Sequence, residues 1–385
     1  MNRISQYLRH FLAPGVLPVL FLLSVPVAAR AQFSYLTNGS AITITGYTGT
    51  AGTVTIPSTV GDLPVTSIGD VAFYACSTLT NVTIPDSVSV IGWYAFEYCP
   101  NLTQVAFGNG VASIGDSAFY SCHSLTNLTI PNSVTNIGWH AFESCTSLVS
   151  VTIGNRVISL GNSAFASCTS LASAALPASV ISIGNAAFSS CTSLASVTIS
   201  NRVASLGNTV FYACTSLTNV TLPSQAVSIG SSAFYWCDSL VSLTVPNTVT
   251  NVGDWAFRYC ASLTGVYFQG NAPAAGASVF AGADHAIAYY LPGTTNWGST
   301  LANRPTLLWN PSIQASGPSF GVQTNRFGFN ITGTTNIPIV VEACTTLASP
   351  SWTPLQNCTL TNGSIYFSDP TSMNYPGRYY RIRSP

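Results

Sequence analysis

The hydrophobic positions of this chain recur with a period of 23 residues from about residue 57 to residue 280. Phenylalanine marks nine cycles without insertion or deletion, and cysteine and then leucine follow at intervals of three residues. A glycine precedes each phenylalanine by four residues. The phenylalanines are Phe73, Phe96, Phe119, Phe142, Phe165, Phe188, Phe211, Phe234 and Phe257. A fixed period of about 20–50 residues indicates stacked supersecondary units, so the chain is predicted to be a solenoid.

The unit that begins at Leu79 predicts how one repeat folds. Apolar and polar residues alternate over Leu79–Ile84, which predicts a short strand with one face inward. Pro85 ends the strand, and Val88 and Ile91 are the next inward positions. Ala95–Cys99 is predicted to form a single helical or 3₁₀ turn. One strand and one turn cannot bury an apolar face alone, so the coils must stack with their strands parallel.

The pattern Leu-x-x-Val-x-Ile-Pro-x-x-Val-x-x-Ile-Gly-x-x-Ala-Phe-x-x-Cys resembles the BspA-like, 23-residue class of bacterial leucine-rich repeats. The resemblance implies a right-handed leucine-rich-repeat coil, and a role in adhesion or in contact with host and matrix. The sequence departs from the wider leucine-rich family at the position of its asparagine ladder, which here holds Ser87, Gly110, Ser133 and Arg156. The curvature of the solenoid is therefore left open.

The pattern divides the chain into five predicted parts. Residues 1–31 read as a signal peptide, 32–60 as an N-terminal β cap, and 61–280 as nine full repeats and one degenerate repeat. Residues 281–311 are predicted to cap the C-terminal end. Residues 312–385 carry short strand-like runs separated by Gly, Pro and Asn, which predicts a small all-β, sandwich-like module.

The N-terminal segment has the three parts of a secretory signal. Arg3 and Arg9 precede an apolar stretch from Phe11 to Val27, and a small-x-small site ends at Ala31. The alternative is a retained membrane anchor, although three prolines interrupt a stretch already short for a span of about 20 residues. Cleavage near Ala31 predicts a secreted, extracellular or cell-surface chain, with no membrane span in the mature form.

Composition narrows the class of partner. Only 6% of residues are charged, and all eleven basic residues are arginine. A lysine-free chain that is weakly acidic after signal removal lacks the basic stripe that follows a phosphate backbone. Nucleic acid is therefore not expected as a partner, whereas an extracellular protein or a polysaccharide is. The mature chain is expected to be monomeric.

The cysteines fall into two groups. Nine recur in register from Cys76 to Cys260, so equivalent Cβ atoms in neighbouring coils lie about 4.8 Å apart, beyond the roughly 3.8 Å mean of a disulfide. We expect this group to be a column of small buried side chains. Cys344 and Cys358 lie outside the column, and we expect a possible disulfide between them. No histidine series accompanies the thiols, so no metal site and no cofactor are expected.

Candidate catalytic pairs are few. His123 follows Cys122, but a nucleophile must be accessible and have a lowered pKa, whereas Cys122 belongs to the expected buried column. Glu97 and Glu143 share a repeat position two coils apart, a spacing of about 10 Å that suits an inverting carboxylate pair. The sequence implies no pocket around these two glutamates, so we interpret them as solvent-exposed surface charges. The chain is therefore predicted not to be an enzyme.

The variable repeat positions predict two exposed surfaces. One is a column on the strands: Thr83, Thr129, Thr152, Thr198, Thr221 and Thr244. The other is aromatic and lies between the repeat glycine and cysteine: Trp93, Tyr94, Trp139, His140, Tyr120, Tyr235, Trp236 and Trp255. Threonine is also an ordinary exposed strand residue, and some aromatics are expected only to pack on the next coil. Exposed aromatics beside polar groups are common interface anchors, and Trp93 and Trp139 are the leading candidates.

These features predict a non-enzymatic scaffold outside the cell that binds protein or polysaccharide through its variable positions. An alternative is a stiff spacer that displays a binding module at residues 312–385. A third hypothesis is a carbohydrate-active enzyme, but the chain has few paired acidic residues, which argues against it.

Overall fold

The computed structural model describes residues 32–385, and the expected signal segment lies outside them. Within this range the chain forms a solenoid of parallel strands followed by a C-terminal β region. The predicted fold class is confirmed. Among residues 32–385, no helix has the length and apolar character needed to cross a bilayer.

The first strands cover the N-terminal end of the coil. They are β1 (Phe33–Asn38), β2 (Ala41–Tyr47), β3 (Thr53–Thr55), β4 (Thr59–Val60) and β5 (Leu63–Ile68). β1 and β2 form an antiparallel hairpin, and β2 pairs in parallel with β5. Gly39 lies in the hairpin turn at a φ of 61°, which glycine adopts without the steric cost of a Cβ. The hairpin occupies an edge where unpaired backbone groups would invite other strands.

The repeats contribute the following strands in chain order: β6 (Asn81–Thr83), β7 (Val90–Ile91), β8 (Gln104–Ala106), β9 (Ser113–Ile114), β10 (Asn127–Thr129), β11 (Asn136–Ile137), β12 (Ser150–Thr152), β13 (Ser159–Leu160), β14 (Ser173–Ala175), β15 (Ser182–Ile183), β16 (Ser196–Thr198), β17 (Ser205–Leu206), β18 (Asn219–Thr221), β19 (Ser228–Ile229), β20 (Ser242–Val245), β21 (Asn251–Val252), β22 (Gly265–Phe268) and β23 (Ala274–Ala275).

Each repeat therefore holds two short strands, one more than the sequence predicts. The even-numbered strands β6–β22 and β3 carry the predicted alternation, and we call their outer side the strand face. The odd-numbered strands β7–β23 extend from β5 as a second sheet. Periodicity does not reveal a strand such as Val90–Ile91, because it has two residues and only Ile91 is buried.

Both sheets keep a strict register along the coil axis. From β6 to β22 on the strand face and from β7 to β23 in the second sheet, partner residues are 23 positions apart, as Asn127 with Ser150 shows, whereas β3 pairs with β6 at a separation of 28. The strand face is interrupted between β8 and β10 and between β18 and β20, and the second sheet between β15 and β17. The stack is thus regular in spacing but not uniformly hydrogen-bonded.

The interior is a set of parallel side-chain columns. Ten phenylalanines, from Phe73 to Phe280, are almost completely buried. Successive rings stack with centroids 4.7 Å apart at Phe73 and Phe96, and 5.9 Å apart at Phe188 and Phe211. The repeat leucines and inward valines and isoleucines surround this column, so each coil is completed by its neighbours.

The cysteine column is unbridged and, apart from the half-buried Cys76 at its N-terminal end, buried as predicted. All described cysteines are free, and those from Cys99 to Cys260 are fully buried. Each of these thiols donates to the carbonyl oxygen of a phenylalanine in the preceding coil, as Cys99 Sγ does to Phe73 O at 3.1 Å. Burial raises the pKa of the Cys145 thiol to about 12. The column thus behaves as a row of small, weakly hydrogen-bonding hydrophobes.

The segment from the repeat glycine to the repeat cysteine consists of successive turns where the sequence predicts one helical turn. In the first coil, Tyr74 N–H donates to Val71 O and Cys76 N–H to Phe73 O, while Phe73 N–H donates to Ala95 O in the next coil. Two residues in each repeat have a positive φ. A helix needs uniform right-handed dihedrals and bonds within the segment, so this alternation excludes it. We call the outer side of these segments the turn face.

The remaining elements are β24 (Ile287–Tyr290), β25 (Thr300–Leu301), β26 (Arg304–Leu308), β27 (Ser312–Gln314), β28 (Gly321–Gln323), β29 (Arg326–Thr332), β30 (Pro338–Cys344), β31 (Thr353–Thr359), β32 (Ser364–Asp369), a 3₁₀ helix (Ser372–Asn374) and β33 (Tyr379–Arg383).

The C-terminal region contains two antiparallel sheets, in agreement with the predicted all-β character. One sheet is built on β29, which pairs with β27, β28 and β32, and the other has the order β31-β30-β33. Their apolar sides enclose Phe329, Val341 and Phe367. Tyr267 and Tyr289 of the strand face belong to the same core, so this region packs directly on the last coils.

The expected disulfide between Cys344 and Cys358 is absent, and both thiols are free. β31 pairs with β30 so that Cys358 lies opposite Ile339, five residues from Cys344 along the strand. At about 3.3 Å per residue the two cysteines are roughly 16 Å apart, far beyond the ~7 Å Cα limit of a disulfide. Sequence spacing alone does not show this register.

Candidate functional site

The threonine column lies on the strand face, where the alternation predicts it. Thr83, Thr129, Thr152, Thr198 and Thr221 are exposed and Thr244 is half-buried. The column is broken, because Ala106 and Ala175 occupy the same register between the threonines. The strand face therefore offers short runs of hydroxyl groups instead of one continuous ladder.

The C-terminal end of the strand face is covered. Thr244 pairs in register with Tyr267, and Tyr267 with Tyr289, whose rings stack at 4.7 Å inside the C-terminal core. Ser242 Oγ donates to the backbone oxygen of Pro385 at 3.0 Å. A cavity of about 230 Å³ remains at this junction. Only the earlier coils of the strand face are open to a ligand.

The turn face carries a first group of aromatic side chains near its N-terminal end. We define the N-terminal aromatic patch as Tyr74, Trp93, Tyr94, Tyr98, Tyr120 and Trp139. Trp93 and Trp139 are each 56% exposed. Tyr98 meets Tyr74 and Tyr120 edge to face, with ring centroids 6.0 Å and 5.6 Å apart. The predicted aromatic positions in these coils are thus exposed or half-buried on the turn face, and three of the tyrosines contact one another.

Side-chain carboxylates fix the backbone of both tryptophans. Trp93 N–H donates to Asp70 Oδ1, and Trp139 N–H to Asp116 Oδ1, each at 2.7 Å. Because Trp93 and Trp139 share a repeat position two coils apart, about 10 Å separates them along the axis, with Asp116 between them. The coil thus fixes the spacing of the two backbone positions that carry the indoles.

The same patch contains two more carboxylates and an imidazole. Burial raises the pKa of Glu97 to about 7. Glu143 forms a short contact with His140 Nδ1. Tyr120 occupies the intervening coil at the repeat position of Glu97 and Glu143. The two glutamates are thus separated by a tyrosine along one column.

The Cys122–His123 pair has no catalytic geometry. Burial is the main cause that raises the pKa of the Cys122 thiol well above its ordinary value. The Nδ1 atom of the exposed His123 lies 2.9 Å from Ser144 O, in the next coil. A buried, un-ionised thiol is a poor nucleophile. In the described residues, no cluster of three or more His, Cys, Asp or Glu side chains is placed to hold a metal ion.

A second aromatic group lies toward the C-terminal end of the turn face. We define the C-terminal aromatic patch as Tyr212, Tyr235, Trp236, Trp255, Arg258 and Tyr259. The Arg258 guanidinium lies 4.7 Å from the Tyr259 ring centroid and 5.7 Å from those of Tyr235 and Trp255. Arg258 also donates to the Tyr259 hydroxyl at 3.0 Å. This patch supplies its own cation.

Small side chains separate the two patches. At the same repeat positions, the intervening coils hold Ser163, Ser167, Ala186, Ser190 and Ala213. The candidate binding residues predicted from the sequence are thus divided into two surfaces on one face. His140 lies with the first, and Trp255 with the second.

Sequence reasoning missed a ladder of polar side chains on the turn face. Asn185 N–H donates to Asn162 Oδ1, and Asn208 N–H to Asn185 Oδ1, each at 2.8 Å. Asp70 and Asp116 occupy the same position beneath the tryptophans. The recurrence of Asp or Asn directly after the repeat glycine is the signal that identifies it. This ladder lies at a different repeat position from that of Ser87, Gly110 and Ser133, where the wider leucine-rich family has its asparagines.

The solved structures similar to this chain are bacterial leucine-rich repeat proteins. A leucine rich repeat protein of T. pallidum is 29% identical, over 56% of this chain and 90% of its own, with a TM-score of 0.43. A leucine rich cell surface protein of Faecalibacterium prausnitzii is 26% identical, over 69% and 94%, with a TM-score of 0.37. The pneumococcal vaccine antigen PcpA is 19% identical, over 68% and 92%, with a TM-score of 0.39. With TM-scores below 0.5, these likenesses carry no functional argument.

The comparison with curated proteins gives no match. The family model described as the BspA type leucine rich repeat region matches in six copies, over residues 51–172 and 158–286. These ranges contain the phenylalanine and cysteine columns, the strand face and both aromatic patches. Because the match covers more than half of the chain, the protein belongs to the BspA type leucine-rich repeat family.

Proposed function

We propose that this protein is a non-enzymatic binding scaffold displayed outside the cell, and that the turn face is its recognition surface. The observation that carries the proposal is the pair Trp93 and Trp139, each more than half exposed and held by a carboxylate at a two-coil spacing. Large exposed aromatics on a rigid support anchor protein and glycan ligands at little entropic cost.

Location outside the cell is part of this proposal. The signal-like segment at residues 1–31 supports it. The buried cysteines do not argue for a reducing compartment, because their coil positions prevent bridging. Appearance of a chain beginning near Gln32 in the culture medium or on intact cells would test the location.

The first experiment replaces both indoles with Trp93→Ala/Trp139→Ala. We expect the far-UV circular dichroism to be unchanged, since neither ring is in the core, and capture from an array of glycans and extracellular proteins to fall. Val149→Ala/Val241→Ala is the control, since both valines are 49% exposed and lie off the turn face. Equal capture by wild type and the tryptophan variant would remove this surface as the recognition site.

The second candidate function is a spacer that displays the C-terminal β region. The shared core at Tyr267 and Tyr289 favours it, because it fixes that region rigidly on the last coils. Replacing the exposed side chains Val322, Leu347 and Tyr366 by alanine in the full chain tests this alternative. Loss of capture in this variant, with full capture by the tryptophan variant, would favour the spacer.

A further inference from the structure

Charge is distributed very unevenly along the solenoid. Residues 32–155 contain six Asp or Glu and no Lys or Arg. Residues 156–385 contain eight Arg and five Asp or Glu. The N-terminal aromatic patch lies entirely in the first part. The patch therefore shares its coils with several carboxylates and with no Arg or Lys side chain.

The C-terminal aromatic patch shows how rings in these repeat positions hold a cation. There, Arg258 lies over three aromatic rings at 4.7–5.7 Å. Cations over Trp and Tyr rings within about 6 Å are attracted by the ring quadrupole. Aromatic side chains at these repeat positions of the turn face thus bind one guanidinium group, that of Arg258, within the chain itself.

The N-terminal aromatic patch has the opposite charge at the corresponding position. Counting in steps of 23 from Arg258 leads to Glu143, Tyr120 and Glu97. Asp116 and Asp70 add carboxylates beside the tryptophans, and His140 is in contact with Glu143. The exposed rings of Trp93 and Trp139 and the neighbouring carboxylates, with no Arg or Lys in residues 32–155, complement a positively charged ligand and repel an anionic one.

We propose that the N-terminal aromatic patch binds the arginine or lysine side chains of a basic, extended segment of a partner protein. This inference rests on the proposed function, and it names the chemistry of the partner. Guanidinium or ammonium groups lie against Trp93 and Trp139, and the neighbouring carboxylates Asp116, Glu97 and Glu143 pair with their charge.

The spacing of the coil sets the spacing of the basic residues. The two tryptophans are about 10 Å apart along the axis, and three residues of an extended chain also span about 10 Å. In the polyproline II conformation, with three residues per turn and a rise of about 3.1 Å per residue, every third side chain lies on the same side of the segment. A segment of this kind with a basic residue at every third position, lying parallel to the solenoid axis, therefore places one cation on each tryptophan. An α-helix reaches a similar spacing only between basic residues seven positions apart, two turns along one face.

The probe for this inference is a synthetic peptide with arginine at every third position in a Gly-Ser-Thr background. The same peptide with glutamate at those positions and a neutral linear glucan oligosaccharide are the comparisons. Titration calorimetry with the mature full-length chain should show binding of the arginine peptide alone. Its affinity should fall as salt rises, because exposed charges are screened.

Two variants separate the contributions of the rings and the carboxylates. Trp93→Ala/Trp139→Ala should weaken the arginine peptide about tenfold, the expected loss of two exposed cation–π contacts. Glu97→Gln/Glu143→Gln should weaken it several-fold and flatten the salt dependence. Near neutral pH, binding should release protons, because a cation stabilises the ionised form of Glu97. Val149→Ala/Val241→Ala should bind as wild type does.

Four outcomes would overturn the inference. Salt-independent binding of the glucan that requires the tryptophans would contradict a cationic ligand but leave the proposed recognition surface in place. Binding of the arginine peptide that is unchanged by either variant would place the site elsewhere. Salt-sensitive self-association in sedimentation, lost in the tryptophan variant, would identify the basic half of a second copy as the occupant. Absence of any tryptophan-dependent capture would refute the proposed function as well.

Discussion

At the scale of single residues, one polar side chain connects three coils. Asn185 donates its N–H to Asn162 and accepts the N–H of Asn208 on its Oδ1 atom. A short side chain with a carbonyl or carboxylate oxygen at this position accepts the backbone N–H of the next coil, as Asp70 does for Trp93 and Asn162 for Asn185. Asp or Asn therefore recurs directly after the repeat glycine, although Trp93, Trp139 and Ser231 occupy the same position in other coils.

We expect Asn185→Ala to lower the free energy of unfolding by about 0.5–1.5 kcal/mol, the usual net value of one hydrogen bond. Asn185→Asp keeps the acceptor oxygen and should retain most of the stability. Urea titration followed by circular dichroism measures both. A loss of equal size in the two variants would mean that the ladder bond contributes nothing.

At the scale of elements, the stack is least regular between the coils of Phe188 and Phe211. Their rings are the most widely spaced pair of the column, at 5.9 Å. The second sheet is interrupted in the same coils, between β15 and β17. Both observations indicate a looser contact there than between the earlier coils, where the rings are closer and the second sheet is continuous.

We expect amide hydrogen exchange to be faster at Ser205–Leu206 than at the equivalent Ser159–Leu160, which pairs on both sides. Exchange rates report local opening, and a strand that lacks one neighbour opens at lower cost. Mass-spectrometric exchange on peptides that cover the two strands is the measurement. Equal protection would show that packing compensates for the interrupted ladder.

The elements also show what sequence periodicity can and cannot give. The strand from Asn81 to Thr83 follows from alternation, and the buried Phe96 and Cys99 follow from invariant spacing. The repeat positions of Tyr94 and Tyr98 have a positive φ in every cycle, although other cycles place residues as different as Val, Ala, Ser, Thr, His and Trp there. The type of residue therefore does not signal this conformation. The aromatic patches are visible in sequence, but Arg258 over its rings is a tertiary contact.

At the scale of the whole molecule, the repeats and the C-terminal region are stabilised differently. Buried ionised groups of the described residues are confined to the C-terminal region. Asp369 is fully buried and accepts bonds from Thr371, Arg378 and Tyr380. Burial alone opposes ionisation, but these bonds outweigh it, and the pKa of Asp369 lies below its ordinary value.

The C-terminal region should therefore be the acid-sensitive part. A lowered carboxyl pKa stabilises the fold above the ordinary pKa of Asp, and this contribution is lost as the pH falls through the lowered value. We expect the intrinsic fluorescence of Trp309 and Trp352 to change before the far-UV signal of the solenoid on acidification. Asp369→Asn should remove most of this pH dependence. Simultaneous loss of both signals in the wild type would contradict the prediction.

The uninterrupted 23-residue step has a consequence for how such a molecule changes over evolutionary time. Duplicating or deleting one serine- and alanine-rich coil between the two aromatic patches moves them apart or together by one increment of about 4.8 Å. Neither patch is altered internally, because every new neighbour presents the same phenylalanine and cysteine. Gain or loss of whole repeats can therefore change the distance between the two aromatic patches only in steps of one coil.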